Sequence, residues 1–308
     1  MKKIYISKSL DPCINLAWEE MLHNQTTIDD QILYLWQNEK TVVIGQNQNP
    51  WKECNLELLN QIGGTLVRRK SGGGAVYHDH GNLNFTFLSA YHQDTVVNNL
   101  ELILKALESY GIEAAFKGRN DLVVGEVKIS GNAYYLKGDI ICHHGTLLVD
   151  VDFDLLSKVL TPSIKKLESK GVDSIRSRVS NLKMLNPAVT IDGLIERLSH
   201  IFWGGDDGHM GVMLLEQPEA KLIPDIERYR SWKWNYGQSP NFDLEYHKRY
   251  SWGEVMLELE VVDGYIKDLR VYTDAIDVSL AQIIQNELVG QIFDDKVIDN
   301  IITGIGGV

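Results

Sequence analysis

Arg68-Arg69-Lys70-Ser71-Gly72-Gly73-Gly74-Ala75-Val76-Tyr77-His78-Asp79 is the stretch on which the reading of this chain turns. Three consecutive glycines let a backbone pass close to a ligand and aim N–H groups at an anion. The cations ahead of them, Arg68, Arg69 and Lys70, are of the types that recognise phosphate or carboxylate. Two familiar nucleotide loops are excluded. A P-loop carries Lys-Ser/Thr behind its glycines and then a helix, whereas here the cations lead and a strand follows. The dinucleotide fingerprint needs glycines at a spacing that this stretch lacks. An anion-binding turn and a plain glycine turn with solvated cations both fit the segment taken alone.

Around this loop, 65–70 and 83–89 read as strands. Upstream, Asp11-Pro12 starts a helix with Ile14, Ala17, Trp18, Met21 and Leu22 on one apolar face, and Glu19 and Glu20 are expected on its solvated face. Segments 31–36 and 41–45 look like strands about a polar turn, and 52–62 is weakly helical up to Gly63-Gly64. Downstream, a helix is predicted over about 98–110, stopped by Gly111. Short strand-like runs then follow at 122–124, 126–130, 132–137, 139–142 and 144–151, separated by Gly125, Gly131, Gly138-Asp139 and Gly145. Turns that short cannot carry parallel crossovers, so this is an antiparallel meander. Helices follow near 152–159 and 190–203, the latter capped by Thr190 and ended by Gly204-Gly205.

The region 231–246 has no clean period and is the expected boundary between a domain over 1–245 and a smaller one over 246–308. In the latter, 254–262 and 265–272 flank Asp263-Gly264, a hairpin signal, and helices are expected at 277–289 and 294–303. Composition is that of a folded globular chain: 308 residues, 44% hydrophobic and 23% charged, which excludes disorder and low complexity. No apolar run is long enough to span a membrane. The net charge of −12 opposes nucleic-acid binding. Residues 246–308 alone carry 11 acidic against 5 basic side chains. Cys13, Cys54 and Cys142, odd in number and far apart, argue against a disulfide framework and for reduced thiols in a cytoplasmic protein.

Lys128 stands between Val127 and Ile129 in the meander, with Gly131 clearing space beside it. It reads either as a surface-strand lysine or as a fixed charge able to bridge a carboxylate and a phosphate. His143 and His144 point to opposite faces, so they cannot by themselves make a two-histidine metal site, and no metal-ligand set stands out.

Taken together, the fragments resemble the lipoate–protein ligase A family. The loop from Arg68 to Asp79 is similar to that family's glycine loop. Gly45-x-x-Gln48-Asn49-Pro50-Trp51-x-Glu53-Cys54-Asn55, Gly118 to Leu122, Lys128 to Ala133, His143 to Leu148, Lys165-Lys166-Leu167, Ser174 to Leu182, Trp232 to Gly237 and Trp252-Gly253 follow in its order and spacing, over nearly the whole chain.

The resemblance implies an α+β fold: a catalytic domain like those of class II aminoacyl-tRNA synthetases and biotin ligases, with a small C-terminal α/β accessory domain. It implies activation of lipoate with ATP and Mg²⁺ to lipoyl-AMP. The lipoyl group then passes to a lysine of apo lipoyl domains of 2-oxoacid dehydrogenase complexes or of glycine-cleavage H protein. Lys128 matches the signature lysine, the implied catalytic residue, shared by ATP and lipoate. Arg69, Gly74, Ala75, Val76, Tyr77 and Asp121 match nucleotide positions, and Leu16, Trp36, Gly73 and His144 the lipoate lining. One departure is Tyr135, where some relatives carry arginine on a mobile loop. Segment 163–178, with five cations against two acids, is expected to steer docking of an acidic carrier. The competing readings are a biotin ligase, whose glycine–arginine adenylation loop this chain lacks, an ATP-independent octanoyl or lipoyl transferase using cysteine, and a non-catalytic lipoate- or carrier-binding module.

Overall fold

The computed structural model describes every residue except 119, 161–178, 206–210, 237–243, 263 and 306–308, and leaves aside the side chains of 51 and 52. The basic segment 163–178 thus lies outside the described residues. Among the described residues fourteen strands make three sheets. In chain order they are β1 (Lys2–Ser7), β2 (Gln31–Trp36), β3 (Thr41–Ile44), β4 (Thr65–Arg68), β5 (Val76–His78), β6 (Asn82–Ala90) and β7 (Ala115–Lys117). Then come β8 (Asp121–Val124), β9 (Val127–Lys137), β10 (Ile140–Leu148), β11 (Val212–Leu215), β12 (Leu244–Tyr250), β13 (Gly253–Val262) and β14 (Tyr265–Thr273). The large sheet runs β11-β1-β2-β6-β10-β9-β8-β7, a second is β4-β3-β5, and β12-β13-β14 forms the C-terminal one.

The first helix, Pro12–Gln25, begins as its sequence dictates. Asp11 accepts from the Cys13 and Ile14 amides at 2.8 and 3.4 Å, and Pro12 occupies the first turn. Its apolar face packs one side of the large sheet, with Trp18 and Leu22 against Tyr34, Leu88 and Tyr229. Helices Thr95–Glu108 and Ile191–Trp203 cover the other side, burying Ile103, Leu107, Leu194, Leu198 and Phe202. Each such side chain stabilises the fold by about 1.5–3 kcal/mol.

Several expectations change. The strands 31–36 and 41–45 exist but join different sheets: β2 pairs β6 and β1, whereas β3 pairs β4 and β5. The five runs of the meander are three strands. Its turns fall at Gly125 and Gly138, whose φ values of 60° and 59° suit glycine. Gly131 and Gly145 instead lie inside β9 and β10, where a side chain would collide: a Cβ at Gly145 would come within 2.5 Å of the Asn132 and Phe85 side chains. The weakly helical segment is two short helices, Pro50–Glu53 and Leu56–Gln61. β11 has no counterpart in the sequence reading; it pairs in parallel with β1 at the sheet's edge. The small C-terminal sheet starts at Leu244, inside the stretch that showed no period. It packs Val255, Leu257, Leu259, Ile266 and Leu269 against helices Ser279–Leu288 and Asp295–Ile305.

Candidate active site

A cavity of about 420 Å³ opens over one face of the large sheet. Its floor follows from register. Trp36 of β2 pairs Asn84 of β6, Asn84 pairs Thr146 of β10, the Thr146 hydroxyl accepts the Gly131 amide of β9 at 3.2 Å, and Gly131 pairs Asp121 of β8. Side chains opposite one another in a sheet share a face, so this row runs straight across the cavity. Lys128 reaches over it to Asp121 at 2.7 Å. A Cβ at Gly131 would come 3.0 Å from the Lys128 Nζ, so glycine there leaves the flexible lysine room to lie over the strand.

The glycine loop forms the facing wall, and the cations before it behave differently from expectation. Arg68 is buried and spends its guanidinium on the carbonyls of Gly45, Gln46, Gln48, Trp234 and Asn235, at 2.7–3.2 Å. Arg69 donates to the carbonyls of Val43, Gly72 and Gly74 and to Ser71 Oγ. Lys70 pairs with Glu20, which also takes Arg228 and the Tyr229 hydroxyl. The run Arg68-Arg69-Lys70 therefore shapes and anchors the loop from behind rather than presenting solvated charge. Burial lowers both arginines to about 10, still charged at neutral pH.

Glu19 and Glu20, expected on a solvated face, are both buried. The Glu19 carboxylate accepts from Thr86 Oγ1 at 2.7 Å and faces His144 Nδ1 at 2.9 Å, while His144 Nε2 meets Ser71 Oγ at 2.6 Å. Burial opposes ionisation of Glu19, but the His144 charge and hydrogen bond, with Thr86, hold its carboxyl below the usual range. Trp36 Nε1 donates to the same Thr86 hydroxyl at 3.1 Å, so one chain of bonds ties the cavity floor to the glycine loop. Among the described residues, Glu19, Cys142 and His144 group donor atoms of metal-binding type within 4.8 Å, all buried.

Of the residues singled out from the sequence, Leu16, Trp36, Arg69, Gly73, Gly74, Ala75, Val76, Asp121, Lys128 and His144 line this one cavity. Tyr77 does not: its ring packs in the core of the β4-β3-β5 sheet with Val42, Ile44 and Leu59. His143 takes the opposite face from His144, between Phe85 and Phe87. Tyr135 lies on strand β9, its hydroxyl 3.2 Å from His23 Nδ1, and is not part of the cavity wall.

Sequence reasoning missed His78, Asn84 and Asn132, buried lining residues that each carry a polar atom without a partner among the described residues. One signal was present: Asn82, Asn84 and Thr86 alternate with Leu83, Phe85 and Phe87, which puts a polar row on one face of a buried strand. It also missed Arg249, Asp274 and Ile276, which the C-terminal sheet and the loop after it bring to the mouth. That part docks on the glycine loop. The Gly73 amide donates to the Ala275 carbonyl at 2.9 Å, and the Thr273 amide to the Asn47 carbonyl at 2.7 Å. A Cβ at Gly72 would lie 2.1 Å from the Ala275 oxygen. Gly72→Ala should therefore pry the two apart, faster hydrogen exchange at the Gly73 amide being the expected readout. Unchanged exchange there would mean that the contact does not protect that amide.

Comparison with known proteins gives this site its class. Residues 11–203 match the lipoyl protein ligase A/B catalytic domain, and residues 239–306 match the bacterial lipoate protein ligase C-terminus. The chain is 38% identical to the lipoate-protein ligase A of Bdellovibrio bacteriovorus, over 99% of this chain and 92% of that one. It thus belongs to the lipoate–protein ligase A family, a family of ligases. Among solved structures it is similar to LipL1 of P. falciparum in complex with lipoate, with a TM-score of 0.84, 28% identity and 99% of each chain covered. A lipoate-protein ligase A bound with ATP gives 0.64 at 25% identity, over 77% of this chain and 99% of that one. The bipartite lipoate protein ligase of Thermoplasma acidophilum, studied with its E2 lipoyl domain, gives 0.65 at 27%, over 79% of this chain and all of the other.

Proposed function

We propose that this chain joins lipoate to ATP, forming lipoyl-AMP and pyrophosphate, and then transfers the lipoyl group to a lysine of an apo lipoyl domain or of glycine-cleavage H protein. The observation that carries this reading is the placing of Lys128 in one cavity with the glycine loop and a closed end at Leu16 and Trp36. The first step must bring a carboxylate and the α-phosphate, both anions, to bonding distance. A lysine fixed on a strand and oriented by Asp121 at 2.7 Å supplies a preorganised charge between them. Arg69 holds the carbonyls of Gly72 and Gly74 from behind, which leaves the Gly74-Ala75-Val76 wall to receive the nucleotide. Asp121 at the open end suits Mg²⁺, which binds through few carboxylates together with phosphate oxygens. When bound, that ion would shield the outgoing pyrophosphate.

Purified protein with ATP, Mg²⁺, lipoate and separate apo-carriers, followed by intact mass, tests the whole reading; a mass gain of one lipoyl group on a carrier is expected, and none on any carrier would refute it. The thiol-transferase alternative lacks an available thiolate. Cys13, Cys54 and Cys142 are buried, and burial pushes Cys13 and Cys54 up to about 12 and Cys142 well above its ordinary value. A Cys13, Cys54 and Cys142→Ser variant should keep ATP-dependent lipoylation within a few-fold while losing about 1–3 kcal/mol of stability per buried hydroxyl. An acyl-thioester trapped on Cys142 would overturn the ligase assignment. Buried free thiols suit a reducing compartment, and we place the reaction in the cytoplasm. No helix of the described residues is long and apolar enough to cross a membrane.

We further divide the chain into a catalytic part over 1–245 and an accessory part over 246–308. Because the accessory part contributes Arg249, Asp274 and Ile276 to the mouth, truncation near residue 245 should damage adenylation and transfer unequally. Equal loss of both steps in a folded fragment would contradict a gating role.

A further inference from the structure

The deep end of the cavity holds two hydrogen-bond donors that find no acceptor among the described residues. Asn84, 1% exposed, takes the Asn82 amide on its Oδ1 at 2.8 Å, and its Nδ2 has no partner. His78, 2% exposed, has a partner at Nδ1 and none at Nε2. Its tautomer follows from its neighbours. Asn15 Nδ2 shares its two hydrogens among the carbonyls of Ser9 and Gln37, at 3.0 and 2.7 Å, and Asn38 Oδ1 at 2.9 Å, so an amide nitrogen of Asn38 cannot face it. With its oxygen so engaged, Asn38 turns its NH₂ toward His78 Nδ1 at 3.1 Å, which must accept. The ring proton is therefore on Nε2, and burial keeps the imidazole neutral by lowering its pKa to about 3.

Both donors flank Trp36. Asn84 is its register partner on β6, and the His78 ring stands edge-on to the indole with centroids 6.1 Å apart. Buried donors are nearly always paired, and two left open on one cavity wall point to a ligand atom. Exposure says which part of the ligand arrives there. The Lys128 and Asp121 side chains are 33% and 36% exposed, whereas Trp36 is 4% exposed, and the two donors less. A carboxylate drawn to Lys128 leaves the far end of its acyl chain in the closed end. At roughly 4.8 Å per strand, Asn84 lies about 10 Å along the floor from Gly131, over which the Lys128 ammonium rests. That is the reach of a medium-chain acid.

We propose that Asn84 and His78 select lipoate over the unsubstituted fatty acid of equal chain length by donating hydrogen bonds to the sulfurs of its dithiolane ring. The assignment rests on the lipoate reading above. Sulfur is a weak acceptor, but it is an acceptor. Octanoate brings only methylene and methyl groups to the same depth and leaves both donors unpaired, the circumstance in which a polar site discriminates.

The test is lipoate- and octanoate-dependent pyrophosphate release by wild type, Asn84→Leu and His78→Phe, with melting curves to confirm folding. Wild type should favour lipoate in kcat/KM. Each variant should lower the lipoate-to-octanoate ratio about tenfold, the worth of one modest hydrogen bond, with lipoate use falling and octanoate use rising. A gain on octanoate is a result that a merely loosened fold does not produce. Unchanged ratios in folded variants, or equal losses on both acids, would overturn the assignment. A wild type that uses both acids equally well would overturn it too while leaving the ligase reading intact. A wild type that activates neither acid would overturn the ligase reading itself.

Discussion

Lys128→Ala should lower lipoate-dependent pyrophosphate release at least ~10²-fold, the scale for losing one preorganised charge in an enclosed site. The loss should fall on kcat and kcat/KM alike, because the ammonium matters most when the two anions are forced together. Lys128 pairs with Asp121 at 2.7 Å, so removing it also strands a carboxylate at the mouth. Asp121→Asn separates the two effects. It keeps Lys128 and removes both the charge that orients it and the carboxylate offered to Mg²⁺, while leaving an amide oxygen in the same place, so its cost should be the smaller. The double variant should be no worse than Lys128→Ala, since the two act as one unit. Near-normal pyrophosphate release by a folded Lys128→Ala protein would dispose of the catalytic assignment.

Acidification should destabilise this protein well before its carboxylates titrate. Burial lowers His78 and His143 to about 3, with the charges of Arg69 and His144 adding to the effect at His78 and that of His144 at His143. Above the ordinary histidine value of about 6.5 neither the folded nor the unfolded chain protonates these rings. Below it the unfolded chain binds protons at both positions that the native state refuses, and His23, whose pKa burial also lowers, adds in the same direction, so stability must fall as pH falls. The slope is about 1.4 kcal/mol per pH unit for each ring, hence about 2 kcal/mol apiece between pH 6.5 and 5. Glu19, Glu20 and Asp30, held below the usual carboxylate range, give up their contributions only at lower pH, as it passes down through that range. Urea unfolding at pH 7 and pH 5 reads the effect directly. His143→Leu, which keeps the apolar contacts with Phe85 and Phe87, should remove one ring's share of the pH dependence in that window, about 1.4 kcal/mol per pH unit. Equal stability of the wild type at the two pH values would refute the buried neutral histidines.

Much of the site was legible because its parts are local. A strand, three glycines and a lysine with a glycine three residues on are short patterns whose meaning depends on backbone geometry, and Gly73, Gly74, Lys128 and Gly131 all reach the cavity wall. The same holds for the C-terminal hairpin, whose turn glycine has a φ of 81°. What failed was the fate of charge. Arg68, Lys70, Glu19 and Glu20 look like solvated residues in any window, and all four are spoken for by partners far along the chain. Lys70 meets Glu20 from 50 residues away, Glu19 meets His144 from 125, and Arg68 meets Asn235 from 167.

The residues by themselves determined the loop, the meander, the lysine's strand and the two-part organisation, because each is a matter of backbone preference and side-chain period within a few neighbours. Only the tertiary structure decided which charges are internal struts and which face a ligand, that the C-terminal part supplies Arg249, Asp274 and Ile276 to the mouth, and that Asn84 and His78 keep open donors beside Trp36. The reason is physical. A charge or amide is worth what its environment makes it, and that environment is assembled from strands and helices that meet only when the sheet closes.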